Sequence, residues 1–264
     1  MMRALILALL LPLAAQAETM RMAVTTSFEN SGLADVLLPA IREDTGVDVR
    51  LLVVGTGQAL RLGAAGDVDA VLTHSRAAEE AFVAAGHAPH RREVMWNDFV
   101  IVGPEGDPAG AGAAPSAAGA LAAVAAAGAP FVSRGDDSGT HLAELALWEA
   151  AGRDPEGFGP WYREVGAGMG AALNAAAGMG AYVLSDRGSW LAFGNRDGLA
   201  VAYEGDPVLR NQYAYLPVDP GRAPQVAAEA AAKVEGWLTG PRARALIDGY
   251  RIGGEKAFTF NALP

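Results

Sequence analysis

Val47-Asp48-Val49-Arg50-Leu51-Leu52-Val53-Val54 runs directly into Gly55-Thr56-Gly57-Gln58, then a short helical stretch, then the apolar run Val68 to Thr73. An apolar run rich in β-branched residues, a glycine turn, a helix and a second apolar run make a strand–helix–strand unit, the building block of a parallel sheet. The same alternation continues in both directions. Upstream, Met22-Ala23-Val24 reads as a first strand and leads into Thr25-Thr26-Ser27-Phe28-Glu29-Asn30-Ser31-Gly32. Leu33, Val36, Leu37, Ala40 and Ile41 then recur at i, i+3, i+4 spacing, a helix face stopped by Gly46. Downstream, Ala77 to Ala85 is a helix ended by Gly86, and Trp96 to Pro104 is a strand.

The texture changes at Gly106 to Gly112, a Gly-, Pro- and Asp-rich loop or hinge. A second set of elements follows: a strand at Pro130 to Ser133, helices near His141 to Ala151 and Met169 to Ala177, and strands near Ala181 to Leu184 and Leu199 to Tyr203. Glu204-Gly205-Asp206-Pro207 is another turn; it precedes a strand at Tyr213 to Val218 and the helices Val226 to Leu238 and Arg242 to Tyr250. The fold class is α/β. The expected division is a leader at 1–17, one lobe from 18–102 plus 212–264, and a second from 103–211. Open α/β sheets bind ligands at the carboxyl ends of their strands, so two facing lobes would gather their strand-to-helix loops in one cleft.

Met1-Met2-Arg3, an apolar run from Ala4 to Ala15, and Ala15-Gln16-Ala17 read as a secretory signal peptide cleaved after Ala17. The apolar run is well short of the ~20 residues that span a bilayer. The expectation is an exported, periplasmic protein without membrane insertion. Cysteine is absent, so the fold must rest on its own core, and a 51% hydrophobic composition permits one. The formal charge of −10 argues against nucleic acid and anionic membranes as partners. It does not exclude a small anion, because directed N–H donors dominate at contact distance while salt screens remote charge.

Three strand-to-helix loops carry unusual polar content. Thr25-Thr26-Ser27 precedes a helix capped by Asn30 or Ser31, and hydroxyls beside free helical N–H groups suit an anion. Ser133-Arg134-Gly135-Asp136-Asp137-Ser138-Gly139-Thr140 offers Arg134 as a positive fork and Thr140 at the next helix start. Asp136 and Asp137 are assigned to orienting Arg134 or capping that helix, and the two glycines to close backbone approach. Gly166-Ala167-Gly168-Met169-Gly170 exposes backbone donors at another helix entry, with glycine spacing that does not fit a dinucleotide fingerprint. Gly55-Thr56-Gly57-Gln58 is a fourth donor turn. His74 can look into the same cleft, but capping the following helix is the favoured reading. His87 and His90 have Pro89 between them, which makes a metal site there a poor fit. Asp137-Ser138-Gly139 evokes a serine nucleophile, with His141 as partner, but there is no G-x-S-x-G elbow and no triad spacing. Catalysis is the poorer reading, and no cofactor is expected.

At these loops the chain resembles the substrate-binding component of tungstate ABC transporters, the TupA type. The resemblance rests on Thr25-Thr26-Ser27 with Ser31-Gly32-Leu33, Val54 to Leu60, Asn97 to Pro104, the Ser133 to Thr140 octet, and Gly168-Met169-Gly170. It implies a two-lobed type II periplasmic-binding-protein fold with a ligand cleft between the lobes. It also implies tungstate as ligand, a membrane permease as partner and a monomeric protein. By resemblance Arg134 and Thr140 are the strongest side-chain contacts, with Thr25, Thr26, Ser27, Thr56, Gly168 and Met169 completing the set. The family's Thr-Thr-Thr-Ser motif departs here at its first position, Val24, and Phe28 replaces a small polar residue. Molybdate, phosphate and sulfate remain open as ligands on the same fold.

Overall fold

The computed structural model describes residues 18–196 and 198–263; the signal-peptide reading over 1–17 lies outside them. In chain order the elements are β1 (Glu18–Thr25), α1 (Thr26–Asn30), α2 (Ala34–Thr45), β2 (Val47–Val54), α3 (Thr56–Ala65), β3 (Ala70–Thr73) and α4 (Arg76–Ala84). β4 (Arg92–Pro104), α5 (Ala117–Ala127), β5 (Phe131–Ser133), α6 (Gly139–Ala150), β6 (Tyr162–Glu164), α7 (Met169–Met179), β7 (Tyr182–Asp186), α8 (Arg187–Ala192) and β8 (Leu199–Tyr203) follow. β9 (Arg210–Pro217), α9 (Ala228–Leu238), α10 (Pro241–Gly249), β10 (Arg251–Ile252), β11 (Glu255–Lys256) and β12 (Thr259–Phe260) complete the chain.

One mixed sheet runs in the order β2-β1-β3-β9-β4-β7-β5-β6, with β8 and β12 also paired to β4. β1 lies parallel to β2 and β3, and β5 lies parallel to β6 and β7. β4 joins the two parallel sets. Its residues Arg92 to Asp98 pair with β9, and Phe99 to Val102 pair with β7. The chain therefore changes sheet neighbours inside β4, between Asp98 and Phe99. The Gly106 to Gly112 segment is a tied turn: the Asp107 carboxylate accepts from the N–H groups of Ala111 and Gly112 and from the Tyr182 hydroxyl.

The register decides where the loops emerge. Thr25 pairs with Val54 and Val24 with Leu72, so β1, β2 and β3 end side by side. Residues just past them, Thr26, Thr56 and His74, must leave the sheet at one edge. Beneath, Met20, Val24, Phe28, Leu33, Leu37 and Ile41 join Tyr213 and Tyr215 in a large apolar cluster. Val24 and Phe28 thus belong to the core. A second cluster packs α5 and α6 through Leu121, Phe131, Trp148 and Tyr182. Gly46 ends α2 at φ 73°, the left-handed stop the sequence suggests.

Candidate oxyanion site

Each polar loop is held at a helix start. Thr25 is the N-cap of α1, its Oγ1 accepting from Phe28 N–H at 3.4 Å. The helix expected to be capped by Asn30 or Ser31 is α2, whose N-cap position is instead held by Leu33 without a side-chain cap; Asn30 is the last residue of α1, and Ser31 donates to the Phe28 carbonyl and accepts from Leu33 N–H. Gly55 caps α3, which puts Thr56 in its first turn. Ser138 caps α6 through Oγ, which accepts from His141 N–H at 3.2 Å. Gly168 caps α7, and the Met169 side chain turns into the apolar core, so this segment can offer only first-turn N–H groups.

Arg134 sits at the centre. Only 2% of it is exposed, and its Nη2 lies 2.5 Å from Asp136 Oδ2 and 3.4 Å from Thr26 Oγ1. Asp136 Oδ1 also accepts from Ser138 N–H, so one carboxylate both aims the guanidinium and braces the loop. Asp137 points away, with its side chain 96% exposed. Both glycines of the octet have a reason. Gly135 adopts φ 56°, and a methyl there would meet Glu164 Cβ at 2.7 Å. A methyl on Gly139 would lie 2.9 Å from His74 Nδ1 and 3.4 Å from Thr56 Oγ1. Across the site, a methyl on Gly168 would lie 3.7 Å from Thr26 Oγ1. The loops after β1, β2 and β3 therefore meet the entries to α6 and α7 at close range.

Among the described residues, Ser27 Oγ, Thr56 Oγ1, Arg134 Nε and Thr140 Oγ1 are buried with no protein hydrogen-bond partner. Buried polar groups are nearly always paired, so four such atoms on converging loops mark a place built for polar contact. Of the eight expected site residues, Ser27, Thr56, Arg134 and Thr140 supply these atoms. Thr26 touches Arg134, Thr25 serves as a cap, and Gly168 and Met169 contribute backbone.

Sequence reasoning missed the polar floor beneath them. Asp186 ends β7 opposite Phe99, accepts from Ser189 N–H at 2.9 Å, and is fully buried. Asn97 donates to Asp186 Oδ1 and accepts from Asn211 Nδ2 at 2.7 Å. Burial pushes the Asp186 carboxyl up, opposed by the Ser189 N–H, by the nearby Ser189 and Ser27 hydroxyls and by the Arg134 charge. His74 does not cap α4. Its ring is buried against Tyr213, with centroids 4.8 Å apart, and burial followed by the Arg134 charge lowers its pKa to about 4. The one available signal was position, since His74 directly follows β3 and Asp186 closes β7.

These groups can bind and orient an anion; they do not assemble a nucleophile. Ser138 Oγ is engaged as a cap, and His141 Nδ1 accepts from Asp137 N–H at 3.2 Å.

The PBP superfamily domain matches residues 13–242. The tungstate-binding protein TupA of Peptoclostridium acidaminophilum is 44% identical over 254 residues, covering 91% of this chain and 85% of that protein. The chain belongs to the TupA family of the PBP superfamily. TupA from Desulfovibrio alaskensis G20 superposes with a TM-score of 0.81 at 42% identity, covering 94% of this chain and all of that one. The tungstate ABC transporter structure from Geobacter sulfurreducens gives 0.81 at 46%, covering 88% of this chain and 99% of that one. TupA proteins are binding components of transport rather than enzymes. The mixed α/β sheet is the PBP fold.

Proposed function

We propose that the chain captures tungstate, as a tetrahedral dianion, for an ABC importer. The observation that carries this reading is the set of four buried, unpartnered polar atoms on Ser27, Thr56, Arg134 and Thr140. Hydroxyls, a guanidinium and first-turn N–H groups are all able to donate to oxygen, and their arrangement around a common centre suits an oxyanion. Each charge-assisted bond contributes roughly 1.5–3 kcal/mol, so several offset desolvation and reach ~nM affinity. Tungstate and molybdate share shape and charge; the names of the TupA relatives favour tungstate.

We read the chain as two lobes, 18–102 with 212–264 and 103–211. The exchange of β4 partners at Asp98 and Phe99 and the start of β9 at Arg210 favour a crossover a few residues earlier in each connection. A dianion bridging Thr26 and Thr56 on one side with Arg134 and Thr140 on the other stabilises the closed arrangement. The loaded monomer, exported and cleaved after Ala17, then docks on a membrane permease. A second reading, phosphate carrying a proton, has one feature in its favour: Asp186 Oδ2 is buried and unpartnered among the described residues. Asp136 is occupied by Arg134 and Ser138, and Asp137 faces solvent.

Competitive calorimetry of the purified protein with tungstate, molybdate, sulfate and phosphate tests the proposal. Tungstate should bind tightly, with molybdate its only close competitor. Preference for phosphate would move the assignment to the second reading, and heat from none of the four would end it.

A further inference from the structure

Four elements bring a histidine to the oxyanion site and leave its Nδ1 without a protein partner among the described residues. His74 follows β3 directly, and its ring is wedged between Tyr213 of β9, Phe99 of β4 and the first turn of α6. Nδ1 is buried, makes no hydrogen bond among the described residues, and faces Gly139 Cα alongside Thr56 Oγ1. The following helix needs nothing from it: Ser75 holds the N-cap position of α4, and Ser75 N–H donates to Glu79 Oε1. Stacking alone would not require an imidazole, since a phenyl ring would pack on Tyr213 as well.

We infer that His74 is a further oxyanion-binding residue, donating Nδ1–H to the anion held by Thr56, Arg134 and Thr140. The inference rests on the oxyanion reading of that site. Imidazole can donate or accept at Nδ1, and an anion selects the tautomer with the proton on that nitrogen. The charged and titratable groups near the ring are Arg134 on the β5–α6 loop and Tyr213 on β9, with Arg76, Glu93 and Arg210 lining the cavity it borders; the neutral Asn211 side chain also lies against it. Burial and the Arg134 charge keep the ring neutral near pH 7. A neutral donor serves the site in a way a second cation would not: it adds a directed bond without charge repulsion against Arg134.

The test uses the full mature chain. His74→Leu removes the donor, and His74→Asn restores an N–H near the Nδ1 position. Calorimetry with tungstate should show roughly ten- to hundredfold weaker binding for the leucine variant and recovery of most of it with asparagine. In ¹⁵N-histidine spectra, with the His74 signal identified by its loss in the variant, tungstate should drive the neutral ring to the Nδ1-protonated tautomer. Equal weakening in both variants, tracking a common loss of Tm, would make His74 a packing residue and overturn the inference. So would wild-type affinity in His74→Leu, or a tautomer that tungstate does not change. Wild-type protein that binds none of the four oxyanions would instead overturn the binding reading, and this inference with it.

Discussion

Gly139→Ala should weaken anion binding more than it lowers the stability of the protein. The position is the first residue of α6 and has no left-handed backbone requirement, so alanine is compatible with the chain path. Intrinsic helix propensity would favour the change by up to ~1 kcal/mol. The added methyl, however, would stand 2.9 Å from both Nδ1 and Cε1 of His74 and 3.4 Å from Thr56 Oγ1. Ordinary carbon contacts begin near ~3.5 Å, so the ring or the helix start must retreat by roughly half an ångström. Overpacking of this kind costs about 1–3 kcal/mol. His74 cannot retreat freely, because Tyr213 lies behind it at 4.8 Å. Set against the helix gain, the net destabilisation is about 0–2 kcal/mol, a Tm shift of a few degrees for a chain of this size. Binding is more sensitive. Displacing one donor to a charged acceptor removes about 1.5–3 kcal/mol, a roughly ten- to hundredfold rise in Kd. Gly178→Ala is the control: it lies in α7, and a methyl there meets nothing within 4 Å. That variant should be slightly more stable and bind normally. Calorimetry and thermal melts on the three proteins decide it. Wild-type affinity in Gly139→Ala would refute the placement of the α6 entry against the anion.

Arg134→Lys keeps the charge but loses the planar fork that Asp136 aims, so tungstate affinity should fall by about one to two powers of ten; calorimetry matching the wild type would show that charge alone matters. Glu144 gives a pH prediction away from the site. Burial pushes its carboxyl up to about 7, opposed by hydrogen bonds from Tyr162 and Trp148. The folded protein then retains a proton that the unfolded chain releases near the ordinary glutamate value of 4.5. The resulting stability is complete below that value and is lost as pH climbs through about 7, at most about 3 kcal/mol in all. Glu144→Gln should flatten that slope in denaturant melts across this window, and an unaltered slope would assign the pH dependence to other groups.

The α/β alternation was legible because apolar runs and glycine stops are local signals. Val47 to Val54 is a strand with the ends its sequence suggests, and Gly46 and Gly86 both take positive φ at helix ends. β6, α8 and β12 escaped because each is only two to six residues long, too short for periodicity to register. At the proposed site, Arg134, Thr140, Ser27 and Thr56 stand out in sequence because hydroxyl, guanidinium and glycine cluster there. Asp186, Asn97 and Asn211 could not. They lie on three strands and become neighbours only through the register that sets Asn97 against Asn211 and Phe99 against Asp186. His74 was read as a cap because a polar residue between strand and helix usually is one; Ser75 and Glu79 already satisfy that turn.

The proposed capture of a dianion by a chain of formal charge −10 poses an electrostatic problem, to which the arrangement of the site suggests an answer. Among the described residues Arg134 is the one cation whose charge bears on His74, Asp186 and Tyr213 together, and Asp136 at 2.5 Å offsets much of it. Net attraction therefore cannot come from formal charge. It must come from oriented dipoles: the hydroxyls of Ser27, Thr56 and Thr140 and the first turns of α3, α6 and α7. These act over a few ångströms and are shielded from solvent ions, whereas the surface charge acts over a Debye length of about 8 Å at physiological salt. The two can be separated kinetically. Raising salt should speed association of tungstate, because it screens repulsion from the acidic surface, and should leave dissociation nearly unchanged, because the bound contacts are buried. Stopped-flow measurements over a range of salt concentrations read both rates. Association that slows with salt would mean that exposed positive charge steers the anion, and that the dipole account of the site is wrong.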